Sequence, residues 1–170
     1  TSGALQGGSP DGPVANLDTG KTFGSIQAAI DDSDTDAGDT IEVDSSTYDS
    51  SKEPGGQPVG EEEALIVIEK SVTVRSIGGA ESTVIDGRDH PVTVGVAAKG
   101  VTFKGFTIKG AAVRSDGKFA AGVGVYSGGL NFNDNIVTKN EWTGIDLLEV
   151  QNCQITNNVF SENIHLEDRG

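Results

Sequence analysis

Methionine is absent from this 170-residue chain, and cysteine occurs once, at Cys153. A single cysteine excludes an internal disulfide. Its place at an inward β position marks it as a buried structural thiol rather than a nucleophile. No apolar run approaches the ~18 residues that a membrane-crossing helix needs. No Asn-x-Ser/Thr sequon, CxxC pair, glycine-rich phosphate loop or Ser nucleophile elbow is present. Basic residues are scarce: 12 stand against 26 acidic ones, a net charge of −14. Such a surface repels phosphate backbones, which argues against nucleic-acid binding. It also disfavours polyanionic glycans and anionic membranes unless cations mediate.

What is present is dispersed acid and abundant glycine. The acids run through Asp31, Asp32, Asp34, Asp36, Asp39, Glu61 to Glu63, Asp86 and Asp89. Dispersed Asp with little Lys suits solubility in high salt, where charge is screened, so a halophilic source is expected; an ordinary acidic secreted protein is the plainer alternative. The 24 glycines follow no G-x-y period, which points to tight turns rather than collagen. A chain that starts at Thr1 and holds no Met fits a secreted protein after signal-peptide removal, or a chain trimmed at its start.

Residues 1–21 read as an N-terminal extension, loop-like through residue 16 with breakers at Gly7 to Pro13. Residues 22–32 read as a short capping helix, with Thr22 or Ser25 as its cap and Phe23, Ile26 and Ile30 on one face. Ile41–Val43 opens the first strand, and residues 49–63 read as a long exposed loop. From Leu65 on, runs of three to five β-formers alternate with Gly, Asn, Asp and Ser turns. Without intervening helices, a doubly wound α/β sheet is excluded.

A repeat decides among the β architectures. Val72-Thr73-Val74-Arg75-Ser76-Ile77 aligns with Val101-Thr102-Phe103-Lys104-Gly105-Phe106 at 29 residues. Leu130-Asn131-Phe132 follows after another 29, and Cys153-Gln154-Ile155 after 23. Periods of about 20–50 residues are those of solenoids. The expected fold is therefore all-β: a right-handed parallel β-helix of about five coils over residues 22–170, with inward residues stacked in columns. Asn135 and Asn158 are expected to form a side-chain amide ladder at a turn, and Asn140 and Asn163 share their 23-residue offset. A sandwich does not predict such matching offsets.

Three segments carry a family resemblance. They are Ser25-Ile26-Gln27-Ala28-Ala29-Ile30 with Gly38 to Val43 and Thr47-Tyr48, then Val72 to Ile85 with Asp86-Gly87, then Val101 to Ile108. Together they resemble the pectin-lyase-like superfold, specifically its NosD-like or CASH repeats, as in acidic surface proteins of halophilic archaea. Ser46 departs from the glycine expected before Thr47-Tyr48, and the insertion after Tyr48 is a second departure. The resemblance implies an extracellular or envelope protein that displays or handles carbohydrate, or a scaffold. It implies no particular reaction, since one superfold hosts many.

Catalytic candidates are thin. A lyase needs a carboxylate cluster holding Ca²⁺ and a base, for which Arg75, Arg88, Lys104, Lys109 and Arg114 are available. Asp86-Gly87-Arg88-Asp89 reads first as turn chemistry. A hydrolase needs two facing carboxylates, and Asp134, Asp146 and Glu149 are on hand, each a solvated surface acid on the plainer reading. No catalytic residue is assigned. Asp32, Asp34 and Asp36 resemble a calcium loop, though the glycine and the twelfth residue are misplaced; Ca²⁺ is thus the one cofactor candidate, against a solvated acidic turn. His90 and His165 are too distant in sequence to form a metal motif. Trp142 with Tyr126, Asn140, Asp146 and Glu149 is the ligand-binding candidate, an aromatic for stacking on a sugar ring, against a core-edge cover.

The expected function is a non-catalytic extracellular or cell-surface scaffold for adhesion, glycan contact or envelope assembly. The alternatives are a polysaccharide lyase or glycoside hydrolase with an incomplete site, and a viral tail, turret or spike component. Partners are carbohydrate or other envelope or virion subunits, with a homo-oligomer open. The last repeat is expected to continue past residue 170 or to pack on a partner, because an uncapped end exposes sheet edges.

Overall fold

The computed structural model describes residues 12–113 and 119–164. Arg114 and His165 lie outside the described residues. The N-terminal part holds β1 (Val14–Asn16), β2 (Thr22–Phe23) and helix α1 (Ile26–Asp31). It is followed by β3 (Thr40–Val43), β4 (Thr47–Tyr48), β5 (Gln57–Val59) and β6 (Glu62–Ile68). Then come β7 (Thr73–Ser76), β8 (Val84–Asp86) and β9 (Val92–Val96), and after them β10 (Thr102–Lys104), β11 (Thr107–Lys109) and β12 (Ala121–Val125). The last strands are β13 (Asn131–Asn133), β14 (Ile136–Thr138), β15 (Thr143–Leu147), β16 (Gln154–Thr156) and β17 (Val159–Ser161).

These strands form three sheets, and from β7 on the chain visits them in strict rotation. The first sheet runs β16-β13-β10-β7-β3-β1-β2, the second β17-β14-β11-β8-β4, and the third β15-β12-β9-β6-β5. All pairings are parallel except at the N-terminal side, where β1 is antiparallel to β2 and β3, and β5 to β6. The fold is thus all-β apart from one six-residue helix, with strands stacked in sequence order.

The repeat offsets are the pairing register. Val74, Phe103, Phe132 and Ile155 are consecutive partners across the first sheet. Period-2 alternation turns these residues inward and their neighbours outward, and each three-residue strand from β10 to β14 is buried at its centre only. Phe103 and Phe132 stack at 6.0 Å with planes 8° apart, and Phe106 sits 4.6 Å from Phe103. The second sheet stacks Tyr48, Ile85, Ile108, Val137 and Phe160 in the same way, and the third Ile66, Val94, Val123 and Ile145.

Corners between sheets follow one rule. Gly105, Asp134 and Asn157 occupy equivalent positions before the second sheet, with φ of 84°, 57° and 54°. Gly110, Lys139 and Glu162 do so before the third, with φ of 83°, 54° and 51°. A left-handed residue turns the chain sharply, and Gly, Asn and Asp adopt it most readily.

Asparagines follow these turns, and their chemistry differs from an amide-on-amide ladder. Asn135 Oδ1 accepts from the Phe106 N–H (3.0 Å) while its Nδ2 donates to the Phe103 carbonyl (3.1 Å). Asn158 does the same one rung on, with Asn135 N–H (2.9 Å) and the Phe132 carbonyl (2.8 Å). Asn140 and Asn163 repeat the pattern at the next corner. Of these four corner amides, one also reaches another, Asn140 Nδ2 to Asn163 Oδ1 at 2.9 Å. The main bonding is therefore side chain to backbone.

Several expectations are corrected. The helix begins at Ile26 rather than residue 22: Ser25 caps it, its Oγ accepting from Ala28 N–H (3.1 Å), while Thr22 and Phe23 pair with Ala15 and Val14. Residues 14–16, read as loop, are strand β1. Residues 49–63 are not an exposed loop, since they contain β5, the start of β6 and the buried Glu53. Ile77, aligned with Phe106, is 53% exposed, because β7–β8 carries six more residues than β10–β11 and Thr83 takes the equivalent place below Phe106. Cys153 points toward the core yet is only half-buried, because no described strand covers the last rung.

Replacing Asn135 by Ala removes both bonds and leaves a buried N–H and a buried C=O unpaired. Unmet buried groups cost about 1–3 kcal/mol each, so Asn135→Ala is expected to lose about 2–4 kcal/mol in urea denaturation. Asn135→Asp, which keeps the acceptor but sets a buried carboxylate against the Phe103 carbonyl, is expected to lose at least as much at neutral pH.

Candidate functional site

The structure separates the five candidate ligand-binding residues. Trp142 precedes β15 and Tyr126 follows β12, which is paired in parallel with β15 from Ala121↔Thr143 to Val125↔Leu147. The two aromatics therefore stand at opposite ends of the third sheet's strands, separated by about six residues, or roughly 20 Å. Asn140 is 2% exposed and its amide serves the corner described above. Asp146 pairs opposite Gly124, near Tyr126, and Glu149 lies in the turn beyond β15 with φ 53°.

Trp142 lines a concavity of about 390 Å³ with Thr143, Gly144, Ile145, Phe160, Ser161, Glu162 and Asn163. The wall is formed by the start of β15 and the end of β17, which the rotation of the chain brings side by side. Trp142 has φ 77° and is 38% exposed; its N–H donates to the Ile164 carbonyl (2.9 Å) and its ring lies 6.2 Å from that of Phe119. Phe160, Ser161, Glu162 and Asn163 were not among the sequence candidates. The signal was present, because the 23-residue offset that pairs Asn140 with Asn163 also sets Glu162 and Phe160 beside this notch.

At the other end of the sheet, Tyr126 is part of a second, smaller apolar cluster with Val59, Ala64, Val67 and Val92. Its ring lies against Gly60 and Gly124, where a Cβ would come within 2.5 Å and 3.0 Å of ring carbons. Burial raises the Tyr126 hydroxyl above its ordinary pKa, reinforced by Glu62 and Asp146. Val59, from the segment after Tyr48, covers Gly95. That segment is anchored by Glu53, whose Oε1 and Oε2 accept from the Ile26 N–H (2.7 Å) and Gln27 N–H (3.0 Å) at the start of α1.

No match to this chain is found among protein-family models, curated proteins or solved structures.

The charged candidates are engaged elsewhere. Lys21 Nζ bonds Asp32 (2.8 Å) and Asp34 (2.7 Å), and Asp36 offers its main chain to Asp39. The Lys21 hydrogen bond holds Asp32 below its ordinary pKa. Among the described residues no three His, Cys, Asp or Glu side chains converge to hold a metal. Asp86 Oδ1 accepts from the Arg88 N–H (3.2 Å) and Oδ2 faces Arg88 (3.4 Å) and Lys109 (3.6 Å), which is turn chemistry with ion pairing. Arg75 pairs with Glu42 at 2.9 Å. Asp134 sits at the corner before the second sheet while Asp146 lies on the third. Among the described residues no helix is long and apolar enough to cross a membrane.

Glu53 supplies a pH signature. Burial raises its carboxyl above the ordinary 4.5, against the lowering effect of its two N–H bonds. The folded state thus holds the proton more tightly than the unfolded state. Glu53's contribution to stability is fullest below pH 4.5 and is lost as pH rises through the folded value. Thermal denaturation of wild type against Glu53→Gln is expected to show wild type losing ground as pH rises above 4.5. A constant difference between the two proteins from pH 4 to pH 8 contradicts this.

Proposed function

We propose that the three sheets are the faces of a right-handed parallel β-helix of about five coils, and that it serves at the cell surface or envelope as a non-catalytic scaffold contacting neutral glycan. The observation that carries the reading is the notch at Trp142. Two aromatic rings, Trp142 and Phe160, flank the Glu162 carboxylate and the Ser161 hydroxyl, which is bonded to Thr138 Oγ1 at 3.0 Å, while the Asn163 amide holds the corner beneath them. Sugar rings are bound by an apolar face beneath them and hydrogen-bonding groups at their rim. The net charge of −14 favours a neutral chain over a polyanionic one. The non-catalytic part is supported by how the ionisable side chains are used: Asp32, Asp34, Glu42, Asp86 and Glu53 hold ion pairs, turns or the helix start.

Trp142 is the only tryptophan, so its emission reports the notch directly. Titration with neutral oligosaccharides is expected to shift that emission with a Kd on the order of 1 mM, typical of a binding free energy near −4 kcal/mol. Replacing Phe160 with Ala is expected to weaken it about tenfold. New reducing ends or unsaturated products on incubation would overturn the non-catalytic reading. Emission unchanged by every neutral glycan would remove the contact role.

A further inference from the structure

On the reading of the Trp142 notch as a glycan contact, we infer that it selects a sugar unit carrying a free amino group, held as an ammonium at the Glu162 carboxylate beside the aromatic rings. The selection follows from which hydrogen-bonding groups the notch still has to offer. Ser161 Oγ donates its proton to Thr138 Oγ1 (3.0 Å), and Thr143 Oγ1 donates to the Ile145 carbonyl (3.3 Å). A hydroxyl has one proton, so both oxygens meet a ligand as acceptors. Asn163 Oδ1 is taken by the Asn140 N–H (3.2 Å) and Nδ2 (2.9 Å), and Asn163 Nδ2 donates to the Val137 carbonyl (2.9 Å). Glu162 lines the notch at an exposed position, and its carboxylate accepts without donating.

The side-chain oxygens around the notch therefore ask for donors. A sugar hydroxyl brings one proton to them, whereas an ammonium brings three and a charge, and charge-assisted bonds are the stronger kind. Acetylating the amine leaves one N–H and no charge. The rings act in the same direction, because the negative face of an aromatic ring attracts a cation. Gly144 keeps the wall beside Phe160 open, since a Cβ there would stand 3.1 Å from Phe160 Cδ1.

The charge around the notch has one sign. Residues 142–164 carry Asp146, Glu149 and Glu162 and no Lys or Arg. Lys139 stands at the equivalent corner one rung below Glu162, yet among the described residues no cation pairs with the Glu162 carboxylate. Asp32, Asp34, Glu42 and Asp86, by contrast, each have a Lys or Arg against them. A carboxylate left without a partner beside two aromatic side chains is suited to a cation brought by the ligand. The same field repels uronate and sulfated sugars.

The test follows Trp142 emission with three oligosaccharides of one length and linkage, built from glucose, from glucosamine or from N-acetylglucosamine, at pH 6, where the sugar amine is protonated. The glucosamine oligomer is expected to bind about fivefold more tightly than the other two. Glu162→Gln keeps the side chain's size and is expected to bring glucosamine to the level of glucose, with glucose binding unchanged. Asp36→Asn, between α1 and β3 at the other end of the stack, removes the same charge and is expected to keep the preference. Equal binding of the glucose and glucosamine oligomers overturns this inference and leaves the glycan contact standing. A preference that survives Glu162→Gln, or that Asp36→Asn abolishes, also overturns it and assigns the effect to overall charge. A response to the glucosamine oligomer alone, lost in Glu162→Gln, keeps the amine site and removes the neutral contact. No response to any of the three overturns both.

Discussion

A stack of parallel strands satisfies its backbone only where the strands run; at each corner the chain turns away, leaving an N–H and a carbonyl with no strand opposite. The asparagine columns meet that demand. One amide offers an acceptor to the N–H at the next-lower corner and a donor to a carbonyl three residues before it. Asp lacks the donor, and a neutral apolar side chain lacks both. Because the amide spans two rungs at once, it also fixes their register. A slip of one residue would turn Phe103, Phe132 and their column outward, so the inward packing depends on the corners holding.

This places the stability of the fold on neutral interactions. Ion pairs such as those of Lys21 with its two aspartates are largely solvent-exposed, and such pairs contribute little. A charge of −14 instead acts as a diffuse repulsion that salt screens. Stacked apolar columns and buried amides are largely indifferent to that screening. Added salt therefore removes a destabilising contribution without dissolving a stabilising one.

The sheet register was legible in the sequence because two signals coincided: alternation of apolar residues and recurrence at Val72, Val101, Leu130 and Cys153, at offsets of 29, 29 and 23 residues. The asparagine offsets were visible too, but not their partners, since spacing alone does not say whether an amide meets another amide or a backbone. What stayed hidden depended on distant contacts. Glu53 reads as a loop acid until it is seen to reach the start of α1, 27 residues back. Thr22 and Phe23 suit a helix or a strand equally, and pairing with β1 decides between them. Trp142 and Tyr126 both suit stacking on a sugar ring, yet one precedes its third-sheet strand and the other follows it.

The backbone at Trp142 is the least economical feature of the notch. A φ of 77° is a conformation that glycine adopts freely and a bulky side chain adopts at a cost of order 1–3 kcal/mol. Elsewhere on the same stack the left-handed corner positions go to Gly105 and Gly110, or to Asp134, Lys139, Asn157 and Glu162, the non-glycine ones at φ of 51–57° rather than 77°. If turning the chain were the only requirement here, glycine would meet it with less strain. The ring packs beside Phe119 and leaves 38% of the residue exposed. A strained backbone carrying a large aromatic at the rim of a concavity is better explained by what the ring contacts than by what it supports. That is why the proposed glycan contact is centred on this residue rather than on the buried Asn140 or on Tyr126 within its own apolar cluster.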